Sequence, residues 1–340
     1  MYVLDMACIS PQNTFDGKFF GSDIVPLGTK NMRAIEPEYK DIPNGILRRM
    51  SNSIRMATGA GIPLLQKWPV DGIILGTSDG GMADCHSFLN QMVEYEEGTL
   101  TPTRFIQGAP SSIAGTLALM SKNTGYNNTH SNLGLSFEGS LLDAMLLFDE
   151  GAINKLLVGA VEEISIAQQR LAYLARKLED TLDDQVIMDQ KIYGEGVSLF
   201  VLGNDKSSAM AQIVETDTIC YPSDEDLDEL INKLLDRSNT SAESVDMVMI
   251  GSQSTRETDL LYKPFVERHF PNAGLSTYKR LFGESSSSTA FATWLAVHVL
   301  NGEKLPVELS IGGQDHEPEQ ILIYNQFRGC QHGFILLRKG

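Results

Sequence analysis

One short pattern occurs twice in the chain, and it restricts the available folds more than any other feature. Val70-Asp71-Gly72-Ile73-Ile74-Leu75-Gly76-Thr77-Ser78 is an unbroken apolar run ending in glycine and hydroxyls. Val245-Asp246-Met247-Val248-Met249-Ile250-Gly251-Ser252 repeats it in the second half. A strand with one wet face alternates apolar and polar residues, so short unbroken runs predict strands covered on both faces. Each run follows a helical pattern. The first is Ile46 to Trp68, with Ile54, Ala57 and Ile62 on one side. The second is Leu227 to Leu235, where Leu227, Leu230, Ile231, Leu234 and Leu235 keep the i, i+3, i+4 spacing.

Two more pairs follow in the same order. Ser136 to Phe148 predicts a helix closed by Glu150-Gly151, then a strand from Leu156 to Val161. Ser287 to Leu300 predicts a helix closed by Asn301-Gly302, then an extended run from Leu305 to Leu309. Glycine just past a helix end takes the left-handed cap. Gly196 to Gly203 and Gly333 to Gly340 are both glycine-bounded strands. The chain therefore reads as two duplicated α/β halves, 1–204 and 205–340, with mostly parallel inner strands and helices on both faces. Phe15 to Tyr39, rich in Gly and Pro, reads as loop. The charged helical stretch Gln168 to Leu182 has no counterpart, so about 165–192 reads as an insertion; such segments often cover a partner or substrate site.

Composition limits the partners. Of 340 residues, 27 are Lys or Arg and 44 are Asp or Glu, a net charge of −17. A protein that tracks phosphates needs a basic face, and an anionic membrane surface repels the same charge. Neither nucleic acid nor membrane insertion is expected. No apolar run approaches the ~20 residues of a membrane span. Met1 to Ser10 lacks basic residues and carries Asp5 in its apolar stretch, unlike a signal peptide. Cys8, Cys85, Cys220 and Cys330 are too scattered for a disulfide framework or a CxxC zinc site. The expectation is a cytoplasmic protein with free thiols and no cofactor.

Candidate chemistry is sparse. Gly76-Thr77-Ser78-Asp79-Gly80 has the spacing of a nucleophile elbow, with His298, His316 and His332 downstream in the order a hydrolase triad needs. A glycine-rich strand-to-helix turn accounts for the same residues without chemistry. Asp315-His316-Glu317 and Cys85-His86 have metal-ligand side chains, but neighbours on an extended loop diverge and make no site alone. No G-x-G-x-x-G or P-loop follows an expected strand. Asp224-Glu225-Asp226 suits a helix N-terminus, and Ser285 to Ser288 suits a cap.

Further motifs run the length of the chain: Leu47-Arg48-Arg49-Met50-Ser51, Gly125 to Ala144, Gly159-Ala160-Val161-Glu162-Glu163, and Tyr193-Gly194-Glu195-Gly196-Val197. After them come Ser252-Gln253-Ser254-Thr255 with Asp259, Lys279 with Gly283, and Asn325-Gln326-Phe327 with Gly333. In this order, and at nearly this spacing, they resemble the motifs of the beta-ketoacyl synthases of the thiolase superfamily, the decarboxylating type that works with acyl carrier proteins. The resemblance implies a thiolase-like fold in which the two α/β halves form a layered α-β-α-β-α architecture.

The resemblance also marks what is missing. Gly134 falls where the family has its nucleophilic cysteine, at the start of a buried helix whose dipole and N–H groups activate a thiol. The two family histidines align with Gly251 and Glu284. Glycine forms no acyl-enzyme, and an ionised glutamate accepts hydrogen bonds but donates none. A Glu284 carboxylate ~4 Å from a malonyl carboxylate would repel it by ~4 kcal/mol at an effective dielectric of 20. The family lysine is kept as Lys279, but the glutamate of the following helix aligns with Thr293, which breaks the polar network. Loss of a triad nucleophile costs about 10⁶ in rate, so no catalytic residue is expected at the degenerate positions. Ser136, near Ser131, and Cys330 are the fallback nucleophiles.

A chain that keeps this fold and loses the triad resembles a chain-length factor, most closely those of type II aryl polyene or flexirubin-like systems. The resemblance implies a heterodimer with an active beta-ketoacyl-ACP synthase, in which this subunit shapes the acyl tunnel. Acyl carrier proteins in these families are acidic, so like charge places their docking mainly on the partner. Asn127, Asn128, Thr129, His130, Ser131 and Asn132, with the helix after Gly80, are the expected interface, and Phe105 and Ile106 the expected tunnel end. The alternatives are an inactive homodimer, a malonyl decarboxylase, a ketosynthase with a relocated nucleophile, and a serine hydrolase using Ser78.

Overall fold

The computed structural model describes residues 1–340 apart from 16, 18, 29–30, 168–169, 172–173, 175–191, 254–255 and 313–316. Most of the expected insertion, with the helical stretch from Gln168 to Leu182, lies outside the described residues, as do Asp315 and His316.

The strands are β1 (Tyr2–Ile9), β2 (Gly72–Gly76), β3 (Tyr126–His130), β4 (Lys155–Glu162), β5 (Gly196–Gly203), β6 (Ala211–Cys220), β7 (Met247–Ile250), β8 (Gly274–Thr277), β9 (Gln320–Phe327) and β10 (Gln331–Lys339). They form one ten-stranded sheet in the order β3-β2-β4-β5-β1-β6-β10-β9-β7-β8. Counted outward from the middle, β1-β5-β4-β2-β3 on one side is repeated by β6-β10-β9-β7-β8 on the other. The two sides meet through a short antiparallel contact, Tyr2 opposite Gln212 and Val3 opposite Ala211.

Period-two burial explains the unbroken apolar runs. In β2, Ile74 joins a central core while Ile73 and Leu75 join an outer one. In β9, Ile321 and Ile323 face the centre while Leu322 and Tyr324 face the other outer core. The helices Ser136–Asp149 and Ser288–Leu300 fill the central layer. In the second of these, every residue but His298 is buried, as its all-round apolar sequence requires. The helices Asn52–Lys67 and Ser111–Ser121 cover one outer face, and Asp224–Arg237 and Arg256–His269 cover the other. The result is the layered α-β-α-β-α arrangement. The acidic start of Asp224–Arg237 is a capping box in which Ser223 and Asp226 bond each other's backbone.

Three expectations need correcting. The sheet is mixed: β2 runs parallel to β3 and β4, and β7 to β8 and β9, but the five inner contacts are antiparallel. Leu305 to Leu309 contains a 3-10 turn, Val307–Leu309, and the strand matching β4 is β9. Proline at 306 and the charged Glu308 leave that run without a strand's pattern. Ile46 to Trp68 is broken after Leu47, and the long helix begins at Asn52.

The sheet's two edges differ. Beyond β8 the chain's own loop closes the edge: Ile311 and Gly312 N–H groups donate to Leu275 O at 2.8 and 3.2 Å, and Ser276 bridges Ser310. Beyond β3 no described strand follows.

Candidate functional site

The central helix Ser136–Asp149 starts from a tight turn. Leu133 takes a left-handed φ of 49° and leads a 3-10 turn, Leu133–Leu135. Ser136 closes it: its hydroxyl donates to Leu133 O at 2.8 Å and accepts from Asn132 N–H at 3.0 Å. The fallback nucleophile Ser136 thus has its hydroxyl proton committed to the turn. Gly134 is held on both sides. Its N–H donates to Gln331 Oε1 and its carbonyl accepts from Asn325 Nδ2, each at 3.1 Å. A Cβ on Gly134 would lie 2.2 Å from Phe327 Cβ.

Gly251 ends β7 in the same neighbourhood. A Cβ there would lie 2.7 Å from Tyr262 Oη, 2.8 Å from Tyr278 Oη and 3.0 Å from Asn325 Oδ1. Tyr278 donates to Asn325 Oδ1 at 3.1 Å, and Tyr262 donates to Gln326 O at 3.2 Å. Asn325 therefore bonds beside both degenerate positions, and two tyrosines fill the volume a histidine would need.

Lys279 and Glu284 complete the group. Lys279 Nζ lies 2.8 Å from Glu284 Oε1, with side chains 1% and 9% exposed. This corrects two expectations. The lysine's polar network is rebuilt, not broken, because Glu284 supplies the carboxylate absent at Thr293. The Glu284 charge is also neutralised by its partner, so repulsion of a malonyl group is much weaker than an isolated carboxylate would give. Its inability to donate a hydrogen bond stands.

Glu138, one turn along the central helix, is buried; Thr289 Oγ1 donates to its Oε2 at 3.3 Å. Burial raises its carboxyl from 4.5 to about 7. Its stabilising contribution is fully present below about pH 4.5 and is lost as pH rises through about 7. Glu138→Gln lacks this titration. From pH 5.5 to 8 the variant should gain about 2 kcal/mol on the parent in urea titrations; an unchanged gap would mean that Glu138 does not titrate there.

A cavity of about 360 Å³ opens beside this group, lined by Leu133, Phe327, Arg328, Tyr193, Glu284, Ser78 and Glu162 among others. Glu162, at the end of β4, accepts from the N–H groups of Ser78 and Asp79 at 2.8 and 3.0 Å and from the Ser286 hydroxyl. It ties the two halves together beneath the cavity. Burial, then the charge of Asp79, raises its carboxyl to about 7. Ser286 therefore serves Glu162, and Ser287, at the N-cap position of the Ser288–Leu300 helix, makes no side-chain cap.

The other candidates fall elsewhere. Ser78 Oγ bonds Asp79 Oδ1 at 3.4 Å. Among the described residues no histidine bonds Ser78: His298 packs on Trp294, and His332 Nδ1 pairs with Tyr324 Oη at 2.9 Å. Burial lowers both imidazoles to about 4, so neither is a ready base. Cys330 sits in the β9–β10 turn, its thiol 3.7 Å from Phe327 O. Among the described residues no three His, Cys, Asp or Glu side chains group to hold a metal ion, and no helix is long and apolar enough to cross a membrane.

The expected interface lies at the bare sheet edge. Asp143 accepts from Tyr126 Oη at 3.1 Å and Asn128 Nδ2 at 2.9 Å, and lies 2.8 Å from His130 Nε2. Asn127 donates to Ala114 O at 3.1 Å, Thr129 N–H to Asn128 Oδ1 at 2.9 Å, and Ser131 to Ser78 O at 3.3 Å. Phe105 and Ile106 are 67% and 65% exposed and do not line the cavity beside Glu284. They sit on Pro102–Gln107, which with Met82–Glu94 contains no buried residue. Sequence reasoning missed Tyr262, Tyr278 and Glu138. Glu138, an acid in the largely apolar helix Ser136–Asp149, was the available signal; Tyr262 lies in the charged helix Arg256–His269 and Tyr278 just before Lys279, where nothing marks them.

The beta-ketoacyl synthase N-terminal domain family matches residues 27–169. A search of curated proteins finds no match. Among solved structures, a chain of the ishigamide ketosynthase/chain length factor is 18% identical with a TM-score of 0.77, covering 99% of each chain. A beta-ketoacyl synthase from Burkholderia phymatum is 15% identical, TM-score 0.78, covering 100% of this chain and 99% of that one. A chain of a ketosynthase in complex with its chain length factor from Xenorhabdus doucetiae is 14% identical, TM-score 0.75, covering 100% and 98%. At these identities the likeness establishes the fold. The chain is similar to the beta-ketoacyl synthases: the model of their N-terminal domain matches it over 27–169, and it shares the fold of the ketosynthase structures along its whole length.

Proposed function

We propose that this chain is the non-condensing, chain-length-factor type of subunit in a type II polyketide or fatty-acid-like pathway, paired with an active beta-ketoacyl-ACP synthase. One observation carries the reading: the positions aligned with the nucleophile and the first histidine are filled by Phe327 and by Tyr262, Tyr278 and Asn325. A site merely missing its side chains would be hollow; this one is packed as core. The fold's likeness to ketosynthase/chain length factor structures supports the same reading.

The surface supports this pairing. No described strand lies beyond β3, and although Asn128 Oδ1 takes the Thr129 N–H, an antiparallel strand of the partner adds along the rest of this edge. Exposed Leu89, Val93, Phe105 and Ile106 lie on the two helices that follow β2. Apolar residues grouped this way mark protein contacts. In the complex, Phe105 and Ile106 form the end of the acyl tunnel, and the carrier protein docks mainly on the partner.

Co-expression with candidate ketosynthases, followed by native mass spectrometry, tests this. The expected result is a one-to-one complex with acyl groups on the partner alone. A chain that stays monomeric with every candidate, or an acyl group on this chain, would refute it.

A further inference from the structure

Phe327 and Gly134 depend on each other in a way that fixes where the cavity ends. The clash at position 134 is with the root of the phenylalanine: a Cβ there would sit 2.2 Å from Phe327 Cβ and 2.4 Å from Cγ. Rotating the ring does not move Cβ, which the backbone alone places. That backbone is pinned. Phe327 ends β9 opposite Gln331 in β10, and its carbonyl accepts from Cys330 N–H at 3.2 Å. The turn between them uses left-handed Arg328 and Gly329, with φ of 54° and 68°. The opposing wall is pinned as well, through the bonds of Gly134 to Gln331 and Asn325 from the same hairpin. Leu133 and Phe327 line the cavity, and Gly134 does not.

We infer that Phe327 is a fixed plug that stops the cavity short of the central helix, and that residue 134 is glycine because the plug occupies its side-chain space. A ligand in the cavity meets the Phe327 ring with Arg328 above it, 5.2 Å from the ring centre, and does not reach the helix start. The inference stands on this contact and does not require the partner subunit.

The geometry sets an unusual order of rescue. Gly134→Cys alone should lower stability, and its thiol should be shielded from iodoacetamide. Adding Phe327→Ala should help little, because the clashing Cβ remains. Adding Phe327→Gly should restore stability and expose the thiol. Its thiolate then attacks the reagent's methylene carbon, forming the C–S bond as iodide leaves and the thiol proton passes to buffer. Peptide mapping separates position 134 from the four native cysteines. Alkylation there should be at least about 100-fold faster with Phe327→Gly than with Phe327→Ala. Equal rates, or a Gly134→Cys chain as stable and reactive as the Phe327→Gly double variant, would overturn the plug. If the cysteine variants do not fold, Phe327→Gly alone decides: the plug requires it to gain a benzene site against Gly134 beyond any the parent cavity holds, and equal binding stoichiometry would refute it.

Discussion

Lys279→Met is expected to destabilise the chain by about 3–5 kcal/mol, the usual cost of removing one member of a buried ion pair. Both side chains are almost wholly out of solvent, and the nitrogen and oxygen are 2.8 Å apart. Removing the lysine takes the buried cation from a carboxylate whose charge already reaches Tyr262, where burial first and Glu284 second raise the phenol well above its ordinary range. Glu284→Gln should cost a similar amount by stranding the ammonium. Replacing both together by Met and Leu should cost far less, because an apolar pair carries no desolvation penalty. Urea titration of the four proteins measures the coupling directly. Single variants within about 1 kcal/mol of the parent would mean that the pair is not buried as described.

Phe105→Glu is expected to act in the opposite way, sparing the monomer and breaking the complex. At 67% exposure the ring contributes little to the isolated fold, although it touches Phe88 at a centroid distance of 5.3 Å. Surface changes of this kind usually fall within about 0.5 kcal/mol. Under the proposed pairing, the same change places a carboxylate in an apolar contact. A central aromatic residue at an interface is often worth 2 kcal/mol or more, and the buried charge adds to the loss. Binding to the cognate ketosynthase should weaken by at least about 100-fold. Val307→Glu, at a still more open position in the other half, is the control and should leave binding unchanged. A complex indifferent to Phe105→Glu would remove these helices from the interface.

The paired apolar runs were legible because burial on both faces leaves no polar alternation, and β2 and β7 lie where they indicate. β3 was not legible: Tyr126 to His130 is polar because the strand is an edge. β6 was hidden for another reason: it lies inside the sheet between β1 and β10, but in Ala211–Cys220 the adjacent Ile213 and Val214 are followed by Glu, Thr, Asp and Thr, which break the apolar run. At the site, glycine at 134 and 251 was visible, but a glycine reads only as an absence. Which side chain fills the space depends on Phe327, far along the chain from Gly134, and on Tyr262 and Tyr278, which sit on other elements than Gly251. The Lys279–Glu284 pair lay only five residues apart and could have been read as a pair. Aligning each residue separately to lost or retained functions concealed that they answer each other.

The unequal sheet edges have a consequence for valency. A strand-adding protein with two open edges can propagate without limit; one with a single open edge can only be capped. Here Ile311, Gly312 and Ser310 of the chain itself occupy the β8 side. Growth by strand addition is therefore confined to β3 and terminates after one event. Under the proposed pairing, a chain rich in unbroken apolar strands forms a discrete pair instead of a fibre.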